Sequence, residues 1–290
     1  MVHMLLAEGW EDYELIDSGG GEKLERWGSV VLRRPDPHAI WPKDGAGGAW
    51  ERADAAYHRS DSGGGHWEPL NGHVPSRWPV RYGKMRLGVQ LMQFKHTGVF
   101  PEQASNWRWI EEKLANAPGA RVLNLFAYTG AATVASALAG AVVCHVDSAR
   151  GITQKAKENA ELSGVPAGRT RYIVDDVQKF VAREARRGNE YDAVIMDPPA
   201  YGRGPGGELW QAEAGLYGLV SQCCGLLSGT PVFFLVSSYA PGITPTAAEN
   251  VLALSAAARF GGSTSSFELG LRERARGLAL PCGCCARWEP

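Results

Sequence analysis

From residue 121 to the C-terminus, short apolar runs alternate with longer segments in which apolar residues recur at helical spacing. The apolar runs predict strands over residues 121–126, 141–146, 171–174, 191–196 and 231–238. The segments between them predict helices over residues 130–140, 149–162, 177–187, 208–227 and 246–258. Two further β-like pieces lie at 265–271 and 278–288. This alternation predicts a mostly parallel sheet with helices on both faces.

The first 80 residues follow a different pattern, in which glycine-rich turns separate short β-prone pieces. Their aromatic content is too high for a flexible linker, because they include Trp10, Trp27, Trp41, Trp50, Trp67 and Trp78. We therefore predict a small β-rich N-terminal region over 1–80 and an α/β domain over 81–290. Within the α/β domain, Pro101 is expected to begin a helix that runs to about residue 116.

Composition and charge limit the class of protein and the kinds of ligand that we expect. The chain of 290 residues is 44% hydrophobic and 21% charged, which is typical of a globular protein. No apolar run reaches the ~18 residues that span a bilayer, and no basic segment of a signal peptide begins the chain, so we expect a cytoplasmic protein without membrane contact. The six cysteines lack the paired C-x-x-C spacing of a zinc site and have no histidine near them, which predicts reduced thiols and no metal site. The net charge of −1 means that nucleic-acid binding would need a local basic patch.

Polar residues follow the predicted strands, and ligands of open α/β sheets bind outside the carboxyl ends of strands. The segment 124–130 joins the first strand to its helix, and Gly130 would permit close backbone approach to a ligand. The segment lacks G-x-G-x-x-G, which disfavours a dinucleotide. Asp147 ends the second strand, where its carboxylate could accept both ribose hydroxyls or cap the next helix.

The next two strands also end in carboxylates. Of the pair Asp175 and Asp176, we expect one to accept the adenine amino group and the other to cap a helix, and we favour Asp176 for adenine. The fourth strand ends in Asp197-Pro-Pro199, whose prolines remove two backbone donors and stiffen the turn. The aspartate and the exposed carbonyls could then receive a planar amine or base, although a proline-rich loop with a helix cap would have the same sequence.

The order Phe126-Ala-Tyr-Thr-Gly130, Asp147, Asp176, Asp197-Pro-Pro199 resembles class I S-adenosylmethionine-dependent methyltransferases. More narrowly, Thr97–Gln103 and Tyr201–Gly204 resemble the bacterial family that includes large-subunit rRNA cytosine-C5 methyltransferases. The resemblance covers residues 80–290 and implies a Rossmann-like seven-stranded sheet. It also implies S-adenosylmethionine as the cofactor and RNA, ribosomal RNA in particular, as the substrate. The oligomeric state stays open.

The resemblance also implies a set of cofactor-binding residues. They are Lys95, Thr97, Gln103, Asn124, Phe126, Tyr128, Thr129, Gly130, Asp147, Asn159, Asp176 and Asp197.

Two methyl-transfer mechanisms are open, and the resemblance favours methylation of cytosine carbon-5. Methylation of cytosine carbon-5 requires a thiolate that adds to the ring, and Cys282 is the candidate thiol, although it could equally be a small buried hydrophobic residue. An exocyclic nitrogen needs no cysteine: Asp197 and the Pro198 carbonyl would orient the amine, and Tyr201 would stack on a flipped base. The candidate catalytic residues are Asp197, Pro198, Pro199, Tyr201 and Cys282.

Basic and aromatic residues interleave in the segment 77–86. Arginines and lysines there could contact phosphates while Trp78 or Tyr82 stacks on a base, although a solvated basic face has the same pattern. The candidate phosphate contacts are Arg77, Arg81, Lys84, Arg86 and Lys95. Two other functions are possible: a methyltransferase for a small molecule or a protein, and a non-catalytic module that binds S-adenosylmethionine.

Overall fold

The computed structural model describes residues 3–44, 46–60, 63–71, 74–203 and 209–290. Gly204 of the 201–204 motif and Glu208, the expected start of a helix, lie outside these ranges. The chain divides into two compact units, which we describe separately. The sheet unit consists of Met1–Leu5, Asn106–Leu269 and Gly283–Pro290, and the β-rich unit consists of Leu6–Ser105 and Gly270–Cys282. This division differs from the predicted boundary after residue 80, because it groups 81–105 and 270–282 with the N-terminal region.

From residue 121 onward most strands follow the alternation that the sequence predicts, but a strand over Leu209–Gln211 occupies the start of the helix predicted over 208–227. In chain order they are β1 (His3–Leu6), β2 (Tyr13–Gly19), β3 (Glu22–Trp27), β4 (Val30–Pro35), β5 (Ala55–Arg59), β6 (Gly65–Pro69), β7 (Trp78–Tyr82), β8 (Met85–Val89), β9 (Arg121–Leu125), β10 (Val142–Asp147), β11 (Thr170–Val174), β12 (Ala193–Met196), β13 (Tyr201–Arg203), β14 (Leu209–Gln211), β15 (Phe233–Ser238), β16 (Ser263–Arg272) and β17 (Ala279–Glu289).

The helices are α1 (Ala104–Ala115), α2 (Ala131–Leu138), α3 (Arg150–Leu162), α4 (Val177–Arg187), α5 (Ala212–Cys224), α6 (Pro245–Leu252) and α7 (Ala258–Phe260). A 3-10 turn over Pro101–Gln103 leads into α1, and a π-helical turn over Ala253–Ala257 joins α6 to α7. Among the helices in the described ranges, none has both the length and the apolar composition that crossing a bilayer requires.

The main sheet has the strand order β1-β16-β17-β15-β12-β9-β10-β11. The pairs from β15 through β12, β9 and β10 to β11 are parallel, and β15 pairs antiparallel with β17. The predicted α/β sheet is confirmed. It has eight strands where the resemblance implied seven, because the short strand β1 adds an edge strand beside β16.

The apolar runs form strands because both faces of the sheet are covered. In β12, Val194 and Met196 belong to one hydrophobic core, whereas Ile195 belongs to the core on the other face. Phe234 and Phe233 of β15 divide in the same way. Since successive side chains of a strand point to opposite faces, two covered faces require a continuous apolar run.

The order of the parallel strands reverses at β9. The chain proceeds from β9 to β10 and β11 on one side, and from β12 to β15 on the other. Register places Leu125 beside both Val146 and Met196, and Asp147 beside Val174. The polar residues that follow β9, β10, β11 and β12 therefore lie along one edge, at the point where such sheets bind ligands.

The β-rich unit contains a five-stranded sheet of order β2-β3-β4-β5-β6 and the β7–β8 hairpin. The predicted β-rich N-terminal region is confirmed. In this sheet β4 and β5 pair in parallel, and the other described pairs of neighbouring strands are antiparallel. Leu24, Trp27 and Leu32 are fully buried and form part of its core.

This unit also buries a network of charges around Glu25. The Glu25 carboxylate accepts hydrogen bonds from Arg34 Nε (2.6 Å) and Nη2 (2.8 Å), and from the Tyr13 hydroxyl (2.8 Å). Lys23 Nζ lies 3.6 Å from Glu25 and 3.2 Å from Asp36. Burial alone would raise the pKa of Glu25, but the cations of Arg34 and Lys23 outweigh burial and lower that pKa to about 2.

Candidate active site

The turn between β9 and α2 holds three residues in left-handed backbone conformation. Phe126 has φ 53°, Tyr128 has φ 50° and Gly130 has φ 82°. For bulky residues this conformation costs ~1–3 kcal/mol each, and such strain clusters at functional sites. A Cβ on Gly130 would lie 2.8 Å from the Ala156 Cβ in α3. The close approach of a neighbouring helix therefore requires glycine here, and close approach of a ligand to Gly130 stays a prediction.

Asp147, at the end of β10, fixes this turn. Its Oδ2 accepts the Tyr128 backbone N–H (2.9 Å), and its Oδ1 accepts the Ala149 N–H (2.9 Å). Burial raises the pKa of Asp147, although these two hydrogen bonds act in the opposite direction. A carboxylate oxygen can accept two hydrogen bonds, so each oxygen can still receive one ribose hydroxyl. The ribose contact of Asp147 stays a prediction that this geometry permits, whereas the helix-cap role was wrong, because the N-cap residue of α3 is Ala149 and no side chain caps it.

Two predicted cofactor contacts are engaged within the protein. Asn159 is fully buried, and its Nδ2 donates to the Thr129 carbonyl (2.9 Å). Asn124 is 3% exposed, and its Nδ2 donates to Thr133 Oγ1 (2.9 Å), which lies 2.9 Å from His145 Nδ1. These contacts position the strand end and the turn. Direct contact of Asn124, Asn159 or Thr129 with a cofactor stays a prediction.

The carboxylates after β11 have distinct partners. Asp176 Oδ1 accepts the Lys179 backbone N–H (3.0 Å) and caps α4. Asp175 Oδ2 pairs with Arg183 Nη2 (2.5 Å), and its Oδ1 accepts the Asp176 N–H (2.9 Å). The residue favoured for adenine is thus the helix cap. An adenine contact by Asp176 would have to coexist with this cap, and it stays a prediction.

The segment Asp197-Pro-Pro199 directly follows β12, and Trp210 braces it. Trp210 Nε1–H donates to the Pro199 carbonyl (2.7 Å). The Trp210 and Phe126 rings lie 5.5 Å apart, and a Cβ on Gly215 would come within 2.6 Å of the Trp210 ring. One indole therefore links the turn after β12 to the turn after β9.

The sequence interpretation missed Trp210. The available signal was a lone tryptophan immediately before a helix of mostly small residues, 11 positions after Pro199.

Tyr201 lies in β13 and is 53% exposed, so its ring has a free face. Tyr239, just after β15, packs so closely on the Gly283 backbone that a Cβ there would lie 2.8 Å from its ring. Tyr239 therefore adds a second aromatic side chain to this edge.

The six thiols share one property: burial raises the pKa of every one. They are Cys144, Cys223, Cys224, Cys282, Cys284 and Cys285. For Cys282, which belongs to the β-rich unit, the carboxylate of Glu102 raises the pKa further. For Cys284, the pKa rises to about 12, with Asp197 among the contributing charges. A reactive cysteine needs a lowered pKa, so these surroundings disfavour a thiolate nucleophile.

The remaining predicted cofactor contacts lie in the β-rich unit. Lys95 Nζ donates to the Pro35 carbonyl (3.1 Å), and Thr97 is fully buried with its Oγ1 3.4 Å from the Val99 carbonyl. Gln103 is 9% exposed at the start of α1. Their roles toward a cofactor stay predictions.

The two rings expected to stack on a base are buried instead. Trp78 is 8% exposed, and its indole N–H donates to the Trp27 carbonyl (2.8 Å). Tyr82 is 9% exposed and donates to the Ala104 carbonyl (3.2 Å). Arg81 forms an ion pair with Asp12 (2.9 Å). The stacking role predicted for Trp78 or Tyr82 was therefore wrong, because these rings fill the core.

Comparison with known proteins gives one family and close structural relatives. Residues 50–210 match the S-adenosylmethionine-dependent methyltransferase family. A crystal structure of a SAM-dependent methyltransferase from Agrobacterium tumefaciens is 34% identical, covers 99% of this chain and 93% of that one, and gives a TM-score of 0.93. A putative SAM-dependent methyltransferase from Streptococcus mutans shares the fold, with 19% identity, 97% and 76% coverage, and a TM-score of 0.73.

Curated relatives match over a shorter stretch. Ribosomal RNA large subunit methyltransferase I of Yersinia pestis is 34% identical over 128 residues, which is 44% of this chain and 32% of that protein. The same protein of Yersinia pseudotuberculosis gives the same values. The match thus spans about a third of the length of these curated relatives.

Proposed function

The chain belongs to the S-adenosylmethionine-dependent methyltransferase family, and from that premise we propose that its methyl acceptor is a base of ribosomal RNA. The support for RNA is the similarity of 128 residues to ribosomal RNA large subunit methyltransferase I. The same similarity makes a small-molecule or protein acceptor, or a non-catalytic binding module, the weaker alternatives.

The residues at the carboxyl edge of the sheet fit the methyl donor. When bound, S-adenosylmethionine supplies a methyl group that its sulfonium already activates. Asp147 accepts the ribose hydroxyls through the lone pairs of its carboxylate oxygens that the two backbone N–H groups do not use. Asp176 accepts the adenine amino group, and the strained turn of Phe126 and Tyr128 contributes its backbone. The protein must then exclude water and hold the acceptor atom in line with the methyl carbon and the sulfur.

Asp197 and the Pro198 carbonyl orient the acceptor. Prolines at 198 and 199 offer no backbone N–H that would compete for a base, and Trp210 already occupies the Pro199 carbonyl. Tyr201 presents an exposed ring on which a flipped base can stack. Pro199 therefore has a structural role, and Asp197, Pro198 and Tyr201 have the roles that touch substrate.

The raised pKa of all six thiols favours an exocyclic nitrogen over carbon-5 as the acceptor atom. Carbon-5 of cytosine is a poor nucleophile until a thiolate has added to the ring. An exocyclic amine needs only orientation and a proton acceptor, and Asp197 can serve as both. Methylation of carbon-5, with Cys282 as the nucleophile, is the alternative that the same experiment tests.

Labelling with tritiated-methyl S-adenosylmethionine tests the proposal. The acceptors are undermodified ribosomal RNA and, separately, a cell extract treated with RNase, and nucleoside mass spectrometry identifies the product. We expect label in the RNA as an N-methylated base, unchanged in Cys282→Ala and Cys284→Ala and lost in Asp197→Ala. A 5-methylcytosine product that disappears with either cysteine would refute the nitrogen mechanism, and label confined to RNase-treated extract would refute RNA.

A further inference from the structure

A strained aromatic residue stands at the tip of a tight loop after β8. The Gln90 N–H donates to the Thr97 carbonyl (3.1 Å), and the Met92 N–H donates to the His96 carbonyl (3.1 Å). These bonds close the loop around Phe94. Phe94 has a φ of 64° and is 53% exposed.

Both properties of Phe94 are unfavourable for folding. A bulky side chain at positive φ is a genuine outlier, and a glycine would adopt the same backbone without strain. Exposure of the ring also forgoes the stabilisation that burial of an aromatic side chain provides. Strain of this kind persists where the surrounding structure enforces it, often at binding sites.

The surrounding structure does enforce it. Trp67 Nε1–H donates to the Met92 carbonyl (2.9 Å) on one side of the tip. On the other side, Arg34 Nη1 donates to the Lys95 carbonyl (2.9 Å), and Lys95 Nζ donates to the Pro35 carbonyl (3.1 Å). Arg34 itself is buried and paired with Glu25. The ring is thus presented on a fixed backbone, which reduces the entropy lost when it binds a partner.

Two cationic side chains, Lys95 and Arg59, interact electrostatically near the tip of the loop. Burial lowers the pKa of Lys95 to about 8, helped by Lys23, Arg34 and Arg59 and opposed by Asp36. Burial and the cations of Arg34, Lys95 and Lys23 lower the pKa of His96 to about 4. Arg59, which is exposed to solvent, pairs with Gly65 across β5 and β6, and a Cβ on the neighbouring Gly64 would lie 3.8 Å from the Phe94 ring.

We propose that Phe94 is a stacking platform for an unpaired base of single-stranded RNA, with Lys95 and Arg59 beside it contacting the phosphate backbone. An exposed ring among cations is the combination that binds single-stranded nucleic acid without sequence preference. This inference rests on the proposed function, since it takes RNA as the substrate. It assigns the stacking role, which burial denies to Trp78 and Tyr82, to a residue that the sequence did not indicate.

Fluorescence anisotropy with a labelled 20-nucleotide single-stranded RNA of mixed sequence, and with the matching duplex, tests the platform. Phe94→Gly removes the ring and relieves the backbone strain, so its melting temperature should equal or exceed that of the wild type. We expect about fivefold or greater loss of single-strand affinity, the lower end of what one base–aromatic stack contributes, and little change with the duplex. Phe94→Trp should retain single-strand affinity.

Tyr217→Ala is the matched control, because Tyr217 is an aromatic residue of α5 with a similar exposure of 52%. It should bind both RNAs as the wild type does. Arg59→Gln should lower the slope of log affinity against log salt by about 0.7. Equal single-strand affinity of Phe94→Gly and wild type would overturn the platform while RNA methylation could still stand. Failure of the wild type to bind any RNA would overturn both.

Discussion

Gly130 satisfies two constraints at once at the start of α2. Its φ of 82° lies in the left-handed region, and a Cβ there would lie 2.8 Å from the Ala156 Cβ. The same turn holds Phe126 and Tyr128 at positive φ, a backbone conformation that their side chains disfavour. Such strain is typical of functional sites.

Gly130→Ala should therefore lower the free energy of unfolding by about 1–3 kcal/mol, because the methyl group meets Ala156 and the residue must stay left-handed. Urea denaturation measures the change. Adding Ala156→Gly should restore the part due to the clash but not the part due to φ. Equal stability of Gly130→Ala and wild type would contradict the geometry of this turn.

Some residues of the candidate site could be predicted from the sequence and others could not. Asp147 and Asp197 were predicted because strand ends can be read from the alternation of apolar and polar segments. The sequence could not reveal that the amides of Asn124 and Asn159 bond internally, because nothing local fixes the direction of a buried side chain. Trp210 was missed for a similar reason, since its partner lies 11 residues away on another turn.

At the scale of elements, the N-cap residue of α4 is Asp176, the residue that we propose to contact adenine. Asp176 caps the helix through the Lys179 N–H, 3.0 Å away. Variants can separate the helix cap from the proposed adenine contact. A serine hydroxyl also caps a helix, but it is shorter than the aspartate carboxylate and does not reach the adenine.

Asp176→Ser should keep the stability of the wild type within a few tenths of a kcal/mol, whereas Asp176→Ala should lose ~1 kcal/mol. Both variants should bind S-adenosylhomocysteine more weakly, because both lack the carboxylate. Thermal unfolding and calorimetric titration provide the two readouts. If the serine variant bound as tightly as the wild type, Asp176 would be a cap and nothing more.

Most strands and helices of the sheet unit were predictable, because both faces of the sheet are covered and the central strands are therefore mostly apolar. β1 was not predicted. A four-residue strand has too little pattern of its own, and its place beside β16 depends on pairing with a segment near the other end of the chain.

At the scale of the whole molecule, the division into units could not be read from the sequence. Composition changes near residue 80, yet residues 270–282 return from the C-terminal region to the β-rich unit. One of the contacts responsible is the hydrogen bond from the Ser18 hydroxyl to the Glu273 carboxylate (2.5 Å), across 255 positions of sequence. Local patterns carry no information about such pairings.

The buried network of the β-rich unit should make the molecule sensitive to acid. The folded pKa of Glu25 is lowered to about 2, so its contribution to stability is present above the unfolded pKa of ~4.3 and is lost as pH falls toward ~2. Glu25→Gln should destabilise the protein at neutral pH by on the order of 3 kcal/mol, since it leaves Arg34 and Lys23 buried without this partner.

Urea denaturation as a function of pH measures this. The stability of Glu25→Gln should also depend less on pH between ~4.3 and ~2 than that of the wild type. Glu8→Gln, which changes an exposed carboxylate in the same unit, should match the wild type at every pH. Identical pH profiles for Glu25→Gln and wild type would show that the ion pair does not contribute as described.

The central claim is that the carboxyl edge of the sheet binds one adenosine-bearing ligand through Asp147. Calorimetric titration with S-adenosylhomocysteine tests it most directly, with Glu161→Gln, an exposed carboxylate of α3, as the charge-matched control. We expect one-to-one binding by the wild type and the control, and a loss of on the order of tenfold or more in Asp147→Asn. Because the pKa of Asp147 is raised, wild-type affinity should begin to fall at a higher pH than an ordinary aspartate would cause. Equal affinity of Asp147→Asn and wild type, or a folded wild type that binds no ligand, would contradict the account.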